Sequence, residues 1–382
     1  MRFSPVLSEL GQYPFTRLEE AKRRLAADGV RFVDFGIGDP QEPVDPRIRQ
    51  ALIDGLEQRM GYPLAAGLPE LREAVAGWVE RRFGVALDPD TEILPTLGSK
   101  EAIFSLAQVM VSPERDLVIS TEPGYPVQER GARFAGADVL LLPLREPEGF
   151  LPDLRSLAAG ALERCAIFWV NYPNNPTGAV APLEFYEELA ALARRYDFLV
   201  ASDEAYSELY FGAEPPVSAL QVGRRENVAV FNTLSKRSSM TGYRSGFVAG
   251  DPALIGALKQ FRPSVGTAPQ VFVQRAAVAA WSDEEHVAAT REAYRRKRDI
   301  LLSVLLEQGI RVVGSEATLY LWLEIPDAYA TAEAFATRLL EAGILVSPGS
   351  FFGPAGEGYF RMALVPTEDE CRRAADLLRE AL

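Results

Sequence analysis

Short apolar runs alternate with longer amphipathic stretches between residues 92 and 250, and this alternation sets the architecture. The runs 92–95, 117–120, 139–142, 166–170, 198–202, 228–231 and 246–249 are mainly apolar and are bounded by polar or turn-forming residues. Runs this short, without helical period, predict strands buried on both faces, and the amphipathic segments between them predict covering helices. A largely parallel sheet with helices on both faces follows.

Upstream, Phe15, Leu18, Ala21, Leu25 and Ala26 recur at helical spacing, and Asp28-Gly29 closes the run. A second helix is expected over 45–59, and Pro69 opens another. Beyond Asp251 the pattern changes to long helices, one of them over 284–308, and then to strand candidates at 319–324, 344–347 and 359–364. The expected division is a large α/β domain over 41–262 and a smaller α+β domain with its linking helices over 263–382. An N-terminal arm and segment, 1–40, joins the smaller domain.

Charge narrows the choice of ligand. A net charge of -13 over 382 residues leaves no broad basic surface, so neither nucleic acid nor an anionic membrane is an expected partner. An acidic ligand would have to be held by local arginines. Cys165 and Cys371 lie in no metal-binding spacing, and the single histidine, His286, sits in a solvated-looking helix start. No metal site is expected. With no signal-like or membrane-length apolar run, the expected location is the cytoplasm.

In a parallel sheet ligands collect beyond the carboxyl ends of the strands, so the polar groups there carry the chemistry. Gly98-Ser99-Lys100 opens a helix whose N-terminus favours an anion, and Arg244 could close on the same anion. Tyr125 offers a face to a flat ring, and Asn175 and Tyr206 offer hydrogen bonds to a ring hydroxyl. Asp203, at a buried strand end, needs a cationic partner, which a pyridinium nitrogen would supply. Lys236 lies among hydroxyls with Arg237 beside it, a setting expected to disfavour its ammonium form and free the amine for an aldehyde. Phosphate, aldehyde, ring hydroxyl and protonated ring nitrogen together describe pyridoxal 5'-phosphate. A nucleotide is disfavoured: the chain has no GxxxxGKS or GxxxxGKT loop, and the glycines near Gly36 lack the GxGxxG form.

These residues fall in ordered motifs. They are YxxxxGxxxLR at Tyr62 to Arg72, NPTG at Asn175 to Gly178, DExY at Asp203 to Tyr206, and SK followed by GxRxG between Ser235 and Gly246. With Gly38 near the start and Arg361 near the end, the chain resembles the fold type I, class I and II pyridoxal-phosphate aminotransferases over nearly its whole length. The resemblance implies the following roles. Lys236, Asp203 and Tyr206 are the catalytic residues, Lys236 carrying the imine and moving the proton from the substrate. Ser99, Lys100, Thr233 or Ser235, and Arg244 surround the phosphate. Tyr125, Asn175 and Tyr206 hold the ring, and Gly38, Asn175 and Arg361 bind the substrate carboxylate. Tyr62 reaches the phosphate of a neighbouring subunit, which makes a homodimer the working unit.

Finer runs, among them Tyr13-Pro14-Phe15, 202–211, 234–251 and 279–287, are most similar to N-succinyldiaminopimelate aminotransferases, which exchange an amino group with glutamate. The lead-in Asn171 to Asn174 is common across related aminotransferases, so L,L-diaminopimelate, aspartate, alanine and aromatic amino acids stay open as donors. Arg237 and Lys100 are candidates for a distal carboxylate. The same imine would also serve a lyase, a decarboxylase or a racemase. A non-enzymatic sensor of the cofactor would need a DNA-binding module, against which the net charge argues.

Overall fold

The computed structural model describes residues 1–382 apart from 12, 13, 28 and 30, so Tyr13 and the helix stop expected at Asp28 lie outside the described residues. The seven apolar runs form one sheet of strands β1 (Ile93–Thr96), β2 (Leu117–Glu122), β3 (Asp138–Pro143), β4 (Cys165–Asn171), β5 (Leu199–Asp203), β6 (Val228–Thr233) and β7 (Gly246–Gly250). Their order is β1-β7-β6-β5-β4-β2-β3. All residues of β4, β5, β6 and β7 are buried, as strands covered on both faces require.

Every neighbouring pair among β6, β5, β4, β2 and β3 is parallel, whereas β7 is antiparallel to both β1 and β6. The beginning of β7 therefore lies beside the ends of its neighbours: Gly246 is in register with Thr96 and with Thr233. A side chain could not fit there. A Cβ on Gly246 would stand 2.4 Å from the Asn232 carbonyl oxygen and 3.0 Å from the Ser99 nitrogen.

One face of the sheet packs on helices Pro69–Phe83, Leu183–Tyr196 and Val271–Trp281 through a core that includes Trp78, Phe168, Leu189 and Trp281. The other face packs on Ser99–Met110 and Pro252–Val265 through Ile103, Leu106, Phe231 and Ile255. Helix Pro46–Asp54 starts where Asp45 accepts from the Arg47 amide, and it ends five residues before the expected 59, with Gly55 at its cap.

A second core gathers Val33, Phe35, Tyr294, Leu321, Phe335, Phe360 and Leu378. Around it, Ser347–Pro348, Tyr359–Ala363, Tyr320–Glu324 and Val312–Gly314 form an antiparallel sheet in that order. The run expected at 344–347 is divided: Ile344–Leu345 pairs in parallel with Val33–Asp34, and Ser347–Pro348 joins the antiparallel sheet. Ala205, Tyr206 and Leu209, just past β5, belong to this second core, so the turn after Asp203 is fixed from both sides. Among the described residues no helix is long and apolar enough to cross a membrane.

Candidate active site

A cavity of about 330 Å³ opens where β1, β4, β5 and β6 end and β7 begins. Lys236 enters it from a single helical turn, Leu234–Arg237, capped by Thr233, whose hydroxyl accepts from the Ser235 amide. The Lys236 Nζ donates to the Gly38 carbonyl. Burial pushes its ammonium below the usual lysine range; Tyr320 and Asp39 oppose the shift, while Arg361 and Arg244 add to it. Arg237 takes no part, contrary to the sequence expectation. Successive residues on a helical turn point about 100° apart, and Arg237 turns away from the cavity. It is 2% exposed, bonded to Glu284 at 2.8 Å and to the Ala280 carbonyl at 2.6 Å, and lies 4.9 Å over Trp281. It is a structural cation and no candidate for a distal carboxylate.

Asp203 ends β5 at 5% exposure and accepts from the Ala205 amide at 3.3 Å. Among the described residues it has no ion-pair partner, and burial pushes its carboxyl up to about 7. Tyr206, one turn on, meets the Tyr320 hydroxyl at 3.0 Å. Burial raises the Tyr206 phenol well above its ordinary range. Asn175 is held by its amide donating to Asn171 Oδ1 at 2.9 Å, and Asn171 Nδ2 donates to the Asp203 carbonyl at 2.8 Å. These two bonds tie the ends of β4 and β5 together.

The opposite corner is cationic and rich in donors. Helix Ser99–Met110 begins there after Gly98, whose φ of 71° suits glycine. Arg244 follows the Thr241–Tyr243 turn and donates to the Thr241 carbonyl at 2.8 Å, Ser235 Oγ at 3.4 Å and the Leu97 carbonyl at 3.3 Å. It lies so near that a Cβ on Gly98 would stand 2.6 Å from its Nη2. Arg244 has no carboxylate partner among the described residues. Burial, with Arg244 adding to it, pushes the Lys100 ammonium down.

Arg361, on Tyr359–Ala363, reaches the cavity from the second core at 2% exposure. It donates to Asn175 Oδ1 at 2.9 Å and to the Gly36 carbonyl at 2.8 Å, and lies 4.0 Å over the Tyr320 ring. Gly38 is pressed against the same tyrosine, where a Cβ would come within 2.1 Å of the hydroxyl.

The cavity thus brings together Gly38, Ser99, Lys100, Tyr125, Asn175, Asp203, Tyr206, Thr233, Ser235, Lys236, Arg244 and Arg361. Tyr62 is elsewhere, fully exposed on its loop. Tyr320, Asn171, Asp39 and Thr241 also line the cavity, although the sequence assigns none of them a role in the site. Asn171, at a strand end, could have been found by position, whereas Tyr320 sits in an apolar strand that reads as core. His286 is not solvated: it is 7% exposed and lies outside the cavity. Cys165 and Cys371 are buried free thiols, both pushed up to about 12 by burial. Among the described residues no group of His, Cys, Asp and Glu could hold a metal.

The donor set fits pyridoxal 5'-phosphate. A buried carboxylate lacking a cation, a lysine with a weakened hold on its proton, and a corner with two cations, hydroxyls and a helix N-terminus match ring nitrogen, aldehyde and phosphate.

The family model described as aminotransferase class I and II matches residues 30–378. An LL-diaminopimelate aminotransferase of Aquifex aeolicus is 41% identical over 371 residues, 96% of this chain and 96% of that protein. Among solved structures, an aspartate aminotransferase from Thermus thermophilus with maleate is 32% identical, covers 100% of both chains and superposes with a TM-score of 0.91. A probable N-succinyldiaminopimelate aminotransferase, also from Thermus thermophilus, is 34% identical, with 97% of this chain and 100% of that one covered and a TM-score of 0.89.

Proposed function

Because the chain belongs to the class I and II aminotransferases, enzymes that use pyridoxal 5'-phosphate on amino acids and 2-oxo acids, we propose that it exchanges an amino group between LL-diaminopimelate and 2-oxoglutarate. The observation that carries this choice of substrate is the 41% identity, end to end, to an enzyme named for LL-diaminopimelate. The succinylated substrate favoured by the finer sequence runs becomes the second reading, supported by the structural neighbour named for it. Both substrates belong to diaminopimelate and lysine synthesis. We take the working unit to be a cytoplasmic homodimer, with Tyr62 contributed to the cavity of a second copy, and the chain to divide near residues 40 and 262.

When bound, pyridoxal 5'-phosphate supplies an aldehyde that captures amines and a ring that accepts the electron pair of a broken Cα–H bond. The chain's residues do the rest. Arg361 pairs with the substrate α-carboxylate, and the backbone at Gly38 closes its other side. Lys236 Nζ, whose hold on a proton burial weakens, is the base that takes the proton from substrate Cα. Asp203 keeps a proton on the ring nitrogen, since a buried carboxylate without a partner is stabilised by an adjacent cation. Asn175 and Tyr206 would hold the ring oxygen, and Tyr125 would offer its face to the ring. Ser99, Lys100, Thr233, Ser235 and Arg244 would hold the phosphate at the N-terminus of helix Ser99–Met110.

A donor panel with 2-oxoglutarate as acceptor, followed by glutamate release, tests the substrate. LL-diaminopimelate should give the highest kcat/KM; a higher value for the N-succinyl compound, aspartate, alanine or an aromatic amino acid would overturn the proposal. In the same assay Arg361→Ala should lose about 30- to 1,000-fold in kcat/KM for every α-amino acid, the cost of truncating a two-pronged charged contact. An unchanged dependence on amino-acid concentration would remove Arg361 from the carboxylate site.

A further inference from the structure

The lone histidine holds a place that the reaction does not explain. Two residues past Lys236, Ser238 Oγ meets His286 Nε2 at 2.8 Å, and His286 Nδ1 meets Asp283 Oδ2 at 2.5 Å. An ionised Asp283 can only accept, so Nδ1 carries the proton and Nε2 accepts from the Ser238 hydroxyl. Burial disfavours a second proton on the ring; Asp283 and Asp45 oppose this, and Arg237 adds to it. Hydrogen bonds running serine to histidine to aspartate also occur in hydrolases. Ser238, however, is 2% exposed and does not line the cavity, so it is no nucleophile.

The chain of contacts continues outward. Arg47 bonds Asp283 at 3.0 Å and Asp45 at 3.0 Å, and Asp45 caps helix Pro46–Asp54. Arg47 also meets Glu285 at 3.3 Å. Alongside, Arg237 is docked on Ala280, Asp283 and Glu284. Both residues that follow Lys236 are therefore fastened to one turn, the junction between helices Val271–Trp281 and Glu285–Glu307. The segment needs fastening. Ser239 adopts a left-handed φ of 54° with its buried Oγ unpartnered among the described residues, which lets the Met240 amide return to the Leu234 carbonyl at 3.2 Å. A non-glycine residue is strained there and persists only where its surroundings impose it.

We propose that Ser238, His286 and Asp283 are positioning residues for Lys236, holding the end of its helical turn against the junction of the two long helices so that Nζ keeps its place in the cavity. The inference rests on the reading of Lys236 as the cofactor lysine.

The test uses the cofactor-loaded enzyme and the visible band of the lysine-linked cofactor. In Ser238→Ala and His286→Ala the band should remain, with the midpoint of its pH titration shifted by about half a unit or more, as a displaced hydrogen bond or charge produces. Turnover should fall roughly ten- to hundredfold, the scale of an ångström-sized misplacement of a reacting group, with KM held within about twofold. The double variant should be no worse than the worse single one, because the two residues act as a unit. His286→Gln, which keeps an acceptor for Ser238, should recover much of the loss. Unchanged midpoint and turnover in the single variants, or a loss of thermal stability alone, would overturn the proposal, as would additive effects in the double variant. Should His286→Ala not fold, Ser238→Ala decides, since it removes one hydroxyl. Persistence of the band in Lys236→Ala would be a separate failure, that of the lysine assignment itself.

Discussion

Lys236→Ala is expected to erase the visible absorbance of the lysine-linked cofactor and to cut amino-group transfer by roughly 10³-fold or more, because one side chain supplies both the covalent anchor and the base. The structure gives this expectation its physical basis. The amine lies in the cavity at the Gly38 carbonyl, and loss of solvent is the largest influence lowering its proton affinity. Spectra of the purified variant with added pyridoxal 5'-phosphate, together with single-turnover kinetics, provide the check. Parent-like turnover would end the assignment.

Asp203→Asn should behave differently. The lysine-linked band should survive, since the amine is untouched, while turnover falls roughly 10²- to 10³-fold, the scale of losing one oriented electrostatic partner. A second measurement isolates the carboxylate. In the cofactor-free protein burial holds the Asp203 proton up to about pH 7, against an ordinary value of 3.8. The native state then binds a proton that the unfolded chain has released, so stability declines as pH rises between about 3.8 and about 7. Denaturant midpoints of the cofactor-free parent and variant across that window should differ in slope, the asparagine form declining less. Equal slopes would show that Asp203 is not held protonated by burial.

Local order was the legible part of the sequence. Strands such as 228–231 and 198–202 stand out because they are dense apolar blocks; Asp203 could be found because it follows its block at once, and Lys236 because it stands in the polar run just beyond the other. What sequence could not supply was the direction in which side chains point after the chain turns. Arg237 is adjacent to Lys236 yet buried against Trp281, because a helical turn sends neighbours to different sides. His286 reads as solvated among acidic residues, but Ser238, distant in sequence, covers it. Tyr320 shows the same limit from the other side. Its strand packs in the second core, and only the docking of that core on the large sheet brings its hydroxyl to Tyr206.

The reversed strand β7 also bears on which changes of length the molecule can absorb. Parallel neighbours are joined through crossovers that return by way of the far edge of the sheet, where a residue gained or lost can be taken up in solvent-facing loops. The connector from β6 to β7 returns at the same end of the sheet, and its exposed part is confined to the turn around Gly242. It carries both Lys236 and Arg244, and its ends are locked in register at Thr233 and Gly246. An insertion or deletion between Lys236 and Arg244 would move one against the other, since both reach the same cavity from this one connector. The spacing of lysine and arginine therefore works as a fixed gauge, and variation in loop length should be excluded from this connector while the crossovers around the rest of the sheet remain free to drift.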